Sequence, residues 1–183
     1  MLFARDTEIA LNAAAALVNT AGDGEELLPD VAALDAFVAS WGWTGQRRRT
    51  RAELREVQEL RPRLREIWFS DEERVVEIVN ALLRDSHALP QLVRHAGFED
   101  YHLHATPPHA PLATRMAVEA AMAFADLVRG GELSRLLVCD YPTCDSVVVD
   151  LSKNRSKRYC DGGCGNRAAV EAYRARKAAS RNR

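Results

Sequence analysis

The stretch CDYPTCDSVVVDLSKNRSKRYCDGGCGNR, Cys139 to Arg167, contains all four cysteines of the 183-residue chain. Their spacing is Cys139-x4-Cys144-x15-Cys160-x3-Cys164, two close pairs joined by a longer arm. Three chemistries compete for such a pattern. A two-disulfide staple belongs to secreted chains under about 100 residues, and this chain is longer. A dithiol redox device uses a two-residue gap, which neither pair has. Structural zinc wants four tetrahedral ligands, and cysteine thiolates are a preferred set. Pro142-Thr143 and Gly162-Gly163 supply a turn inside each pair, with backbone amides available to the sulfurs. With four thiolates the coordination sphere is closed, so the ion would fold a small module and leave no position for water or substrate. Arg135–Val138 and Val147–Val149 read as the two strands of a hairpin that carries the first pair.

Working outward, the charge is divided unevenly. Residues 1–150 hold 15 Lys and Arg against 24 Asp and Glu, a balance of −9. Residues 151–183 hold 10 basic residues against Asp161 and Glu171, a balance of +8. A tail of opposite sign to its body points to a polyanionic partner; the competing reading docks the tail on its own acidic body. No run of eighteen apolar residues occurs, so no membrane span is expected. Asp6, Glu8 and Asn12 interrupt the apolar start where a signal peptide needs continuity, and a cytoplasmic protein is expected.

The first 130 residues read as a helical domain and residues 131–183 as a zinc module with a basic C-terminal helix. Apolar spacing predicts helices over about 6–20, after Pro29-Asp30, over 51–69, from Ser70 to near Asp85, and over 111–129. Capping boxes Thr50-x-x-Glu53 and Ser70-x-x-Glu73 mark two starts, and Pro62 predicts a kink or break in the third helix. The basic run Gln46–Arg51 reads as a solvated turn. Alternation at Gln91–Val93 and Tyr101–His104 predicts short strands. The fold class is therefore α+β, mainly α: a helical domain with a small β-hairpin, then a zinc-ribbon-like hairpin and a basic helix.

Lys153, Arg155, Lys157 and Arg158 lie on the arm leading back to the metal, and a helix is expected from Asn166 to Lys177. On it Arg167, Arg174, Lys177 and Arg181 share an arc of roughly 80°, with Ala168, Ala172, Ala175 and Ala179 on a face able to pack closely. Val170 interrupts the arc and Arg176 lies opposite it. A basic helix fixed by zinc can enter a major groove or track phosphates. Asn166 and Arg167 have the groups to read adenine and guanine edges; equally, Asn166 can cap the helix and Arg167 can pair with an acid of the body. The finger lacks an aromatic platform for single strands.

His102-x-His104, with His109 nearby, offers a second ligand geometry, without a carboxylate or cysteine at tight spacing. Trp41, Trp43, Trp68, Tyr101 and these histidines are candidates to line an effector pocket, or simply to be core. No nucleophile–base pair, phosphate loop or carboxylate dyad has credible spacing, so an enzyme is not expected.

The segment from Gly131 to about residue 178 resembles the CGNR zinc finger, named for the residues here at Cys164-Gly165-Asn166-Arg167. Asp150-Leu-Ser152-Lys-Asn154-Arg-Ser156-Lys157-Arg158-Tyr159-Cys160 is similar to that family's D-x-S-x-N-x-S-[RK]-R-[WY]-C segment. The body resembles the ABATE domain of stress-induced transcription regulators through Leu17-Val18-Asn19-Thr20 and Ala125-Asp126-Leu127; Ala13–Ala16 stands where that family often has bulkier residues. The resemblance implies zinc on Cys139, Cys144, Cys160 and Cys164, duplex DNA as partner, and the acidic domain as sensor or dimerisation module. Recognition by one short finger would be weak, so a homodimer is expected. The alternative is a protein-interaction module docking an acidic protein surface.

Overall fold

The structure, a computed structural model, describes residues 3–22, 24–95 and 98–181. Six helices and three two-stranded antiparallel ladders make up these residues: α1 (Arg5–Val18), β1 (Ala21–Gly22), β2 (Glu25–Glu26), α2 (Val31–Ser40), α3 (Arg51–Ile67), α4 (Glu72–Asp85), β3 (Gln91–His95), β4 (Phe98–His104), α5 (Leu112–Arg129), β5 (Leu136–Val138), β6 (Val147–Val149) and α6 (Cys164–Arg181). The α+β, mainly α reading holds. α5 lies at the centre, packed against α1, α3 and α4. Its buried Leu112, Met116, Phe124 and Leu127 meet Leu11 of α1, Leu64 and Ile67 of α3, and Val75 and Leu82 of α4 in one core.

Local chemistry sets the helix ends. Asp30 caps α2 by accepting from Ala33 N, and Thr50 Oγ1 accepts from Glu53 N at 3.2 Å to start α3. α4 starts one residue later than expected: Asp71 is its cap, and the Ser70 hydroxyl turns back to Glu66 O. Pro62 does not break α3, which runs on to Ile67; the Gln58 carbonyl that loses its helical donor there accepts from Arg61 Nε at 3.3 Å.

The basic run before α3 is exposed, as read, except at Arg47, whose side chain is 9% exposed, and Arg47, Arg48 and Arg49 are also ion-paired. Arg47 pairs with Asp35 at 2.8 Å and Glu53 at 3.1 Å, Arg48 pairs with Glu56, and Arg49 reaches Asp35. Glu53 is 1% exposed. Burial opposes its ionisation, yet donors from Arg47, Arg48 and Arg49 hold the carboxyl below the usual range. The buried Arg115 of α5 donates to Thr44 O and to Gln46 O at 2.7 Å, tying down the loop that carries Trp43. Gly45 is required there: its φ is +90°, and a Cβ would meet Pro108 O at 2.7 Å.

β3 and β4 pair with Val93 opposite His102 and Gln91 opposite His104, so the expected hairpin forms. β5 and β6 pair as read from sequence, Leu136 opposite Val149 and Val138 opposite Val147. β6 is also sewn into the helical body. Val147 and Val149 belong to the body's core, while Val148, pointing the other way, belongs to a small cluster with Cys139, Cys144 and Cys164. Burying a valine of this kind contributes about 1.5–3 kcal/mol. Asn19, just past α1, donates Nδ2–H to Val147 O at 2.8 Å and accepts Val147 N–H at 2.8 Å. Its carboxamide thus stands in for a neighbouring strand. Trp68, edge-on to Phe124, donates its indole N–H to Val148 O at 3.0 Å. No helix among the described residues is long and apolar enough to cross a membrane.

Candidate metal centre and its basic arm

The β5–β6 hairpin presents Cys139 and Cys144 at its tip, and the first turn of α6 presents Cys164 next to Cys160. All four sulfurs lie within 4.8 Å of one another. Cys144 and Cys160 are 3.7 Å apart, and Cys160 and Cys164 3.5 Å. A tetrahedral ion with Zn–S near 2.3 Å sets its sulfurs about 3.8 Å apart, so the cluster fits one zinc ion. None of the four is disulfide-bonded. Backbone bonds hold the knuckles: Cys144 N–H donates to Tyr141 O at 2.9 Å, and Cys160 N–H points at the Cys139 sulfur at 3.3 Å. Burial, reinforced by the neighbouring sulfurs, pushes the Cys164 thiol up to about 12, and burial also raises Cys139. Four clustered sulfurs cannot all ionise without a cation among them.

The residues of the CGNR tetrad have separate duties. Cys164 is a ligand and is fully buried. Gly165 lies under the Tyr159 ring, where a Cβ would come to 3.4 Å of Cδ2. Asn166 is exposed and sits inside α6, which starts at Cys164, so it is not the helix cap. Arg167 does not pair with an acid of the body. It donates to the Cys164 sulfur at 2.9 Å and stacks over Tyr141 with its guanidinium carbon 4.8 Å from the ring centre. Tyr141 in turn donates to Glu171 at 2.6 Å. Arg167, Tyr141 and Glu171 therefore lock the first two turns of α6 to the first cysteine knuckle.

The arm from Asp150 to Arg158 is a closed loop. Asp150, 1% exposed, accepts from Ser152 N at 2.8 Å and Lys157 N at 3.0 Å. Burial works against its ionisation, but those bonds keep its carboxyl low. Buried Arg135 donates to Asp150 O and Ser152 O and pairs with Glu132 at 2.7 Å. Arg155, in the left-handed region at φ +50°, pairs with Glu132 at 2.7 Å. Lys157 pairs with Asp161 at 3.2 Å, and Arg158 with Asp140. Three of the four arm cations are thus matched by nearby acids; Lys153 is exposed at the loop tip.

Beyond Arg167 the helix leaves the rest of the molecule. Every residue from Ala169 to Ser180 is exposed, and among the described residues no acid pairs with Arg174, Arg176 or Lys177. Ala172, Ala175 and Ala179, expected to pack closely, face solvent. The Arg181 side chain lies outside the described residues. The described part of α6 beyond Arg167 therefore does not dock on the acidic body, whereas Arg155 and Arg158 of the arm pair with its Glu132 and Asp140.

From sequence, Asn19 and Asp150 stand only as residues of the family resemblance, and no role is read for them or for Tyr141, Asp140, Glu171 and Arg135 at this site. The D-x-S-x-x-x-S spacing, which suits a side-chain-closed turn, was the available signal for Asp150. His102 and His104 do meet, Nε2 to Nε2 at 3.1 Å, but among the described residues only the four cysteines form a metal-ligating group; His109 is exposed elsewhere. Trp41, Trp43, His102 and His104 line a cavity of about 460 Å³, whereas Trp68 is core and Tyr101 lies on the surface beneath Arg94.

Comparison with known families gives two matches. Residues 135–177 match the CGNR zinc finger, and residues 11–131 match ABATE, described as "Putative stress-induced transcription regulator". No curated protein sequence matches the chain.

Proposed function

The chain belongs to the ABATE family and carries a CGNR zinc finger, and from that premise we propose that it is a cytoplasmic, non-catalytic transcription regulator that binds duplex DNA through α6. One observation carries the reading. α6 is tied at its base through Cys164 and Arg167, and among the described residues no acid pairs with its exposed Arg174 and Lys177. Cations already matched within a fold are poor phosphate contacts, whereas exposed, unmatched ones on a fixed helix release counterions on binding DNA.

This reading redistributes the expected contacts. Arg174, Lys177 and Arg181 are the primary contacts, with Lys153 and Asn166 beside them. Arg155, Lys157 and Arg158 reach phosphate only by leaving their acids, and Arg167 positions the helix. A second copy would supply the affinity one helix lacks. The docking of α6 on an acidic protein is the competing reading, supported by Val170 and Tyr173, which are 46% and 58% exposed on the same helix. Binding-site selection on randomised duplexes with zinc-loaded protein separates the two. An enriched palindrome supports the regulator and gives the half-site spacing; no retention of duplex at low salt removes it.

A further inference from the structure

The cavity of about 460 Å³ runs along one face of α1 and one face of α5. Asp6, Ile9, Ala10 and Ala13 line it from α1, and Glu119, Met122, Ala123 and Asp126 from α5, each at i, i+3, i+4, i+7 spacing. Such faces ordinarily interdigitate. Here Ala10, Ala13 and Ala123 bring only methyl groups to the wall, and Trp41, Trp43 and the tip of β4 line other sides. The volume is within the range of small-molecule sites.

The charges on the walls are unequal in what they can offer. Asp6 accepts from Thr7 N at 2.9 Å and from Leu103 N at 3.3 Å. Asp126 accepts from the Thr7 hydroxyl at 2.8 Å and pairs with Arg129 at 3.4 Å. Arg5 and Arg129 are the cations that line the cavity, and Arg129 is 81% exposed. Glu119 makes no ion pair within 4.0 Å with any described residue, and the Arg115 guanidinium one turn earlier acts on it only through space. Its environment is poor in water, which pushes its carboxyl up to about 7. An acid with no close ion pair, in a cavity also lined by Trp41 and Trp43, is chemistry that suits an organic cation, through charge and cation–π attraction together.

We propose that this cavity binds a lipophilic organic cation, with its charge held against Glu119 and its apolar body between α1, α5 and the rings of Trp41 and Trp43. The site is independent of the DNA reading, because occupancy is measured without DNA. It bears on regulation through α1, whose first turns line the cavity and whose end is followed by Asn19, the residue bonded to β6 of the finger.

The test uses two ions of the same shape and opposite charge, tetraphenylphosphonium and tetraphenylborate. Each is titrated calorimetrically into the zinc-loaded full chain in sodium buffer near pH 8, with indole fluorescence as a second readout. Saturable binding of the phosphonium, about tenfold or more tighter than the borate, is expected, and Glu119→Gln should erase that preference. Equal or tighter binding of the borate, no saturable binding of either ion, or an unchanged preference in a folded Glu119→Gln protein each overturns the proposal. Should the variant fail to fold, the two ions on the natural chain decide alone.

Discussion

Asn19 holds both backbone polar groups of Val147, donating to its carbonyl and accepting from its N–H at 2.8 Å each. That pair joins the helical body to the metal hairpin across 128 residues of chain. Asn19→Ala leaves a buried N–H and C=O without partners, which costs about 1–3 kcal/mol. Urea denaturation should show that loss, and Val147 amide exchange should accelerate. Unchanged exchange at Val147 would mean that β6 is held by its apolar contacts alone.

Removing the metal should have a local signature. α6 packs on little besides the cysteine knuckles, and an isolated helix of this length is marginal in water even when rich in alanine. Chelation is expected to abolish its helicity in far-UV circular dichroism while the α1–α5 core persists. Cys164→Ser should reproduce the effect without chelator. If helicity survives metal removal intact, the ion does not organise α6.

Arg167 and Arg174 should separate on mutation. Arg167→Ala removes a donor to the Cys164 sulfur and the stack on Tyr141, so zinc affinity should fall about tenfold or more, the usual cost of losing a support to a metal ligand. Arg174→Ala should leave zinc affinity unchanged and weaken only duplex binding. Competition with a chelating dye measures the first, and anisotropy of labelled duplex the second. Equal zinc affinity in both variants would return Arg167 to the role of a base contact.

Glu119 gives the stability curve a definite sign. Its carboxyl is raised from 4.5 to about 7 by burial, with Arg115 opposing and Asp6 adding to the rise. Between those values the folded chain keeps a proton the unfolded chain has released, so stability falls as pH rises through this window and levels above it. Asp6, Asp126, His102, His104, Arg5 and Arg129 line the same cavity and are common to both proteins when Glu119→Gln is compared with the natural chain. The variant should gain on the order of 1–3 kcal/mol at pH 8 relative to pH 4.5. Parallel pH profiles for the two proteins would contradict this.

Cysteine spacing, helix periodicity and charge asymmetry made the metal ligands, the helical body and the basic tail legible before any coordinates. These are local patterns, each repeating within a few residues. What stayed hidden was pairing over distance. Arg47 looks solvated until Asp35 and Glu53 fold around it, and Arg158 looks free until the segment after β5 brings Asp140 to it. Arg167 was read as a base contact or a body ion pair, because nothing in sequence places a guanidinium on a sulfur. Ser70 lost its capping role to Asp71, since both are good caps one residue apart. The cavity was anticipated in its tryptophans and histidines; Glu119 and Asp126, the two acids of an alanine-rich helix, gave no periodic signal.

The central claim is that the metal-held helix α6 binds duplex DNA, and the salt dependence of equilibrium binding tests it most directly. Zinc-loaded protein titrated with labelled duplex at several salt concentrations should give an association constant that falls linearly on logarithmic axes, with a slope near −0.9 per phosphate contacted. Arg174→Ala and Lys177→Ala should each reduce that slope by about one, and chelation should abolish binding. Duplex binding that is absent at low salt, or that is unaltered by chelation and by both substitutions, would contradict the account.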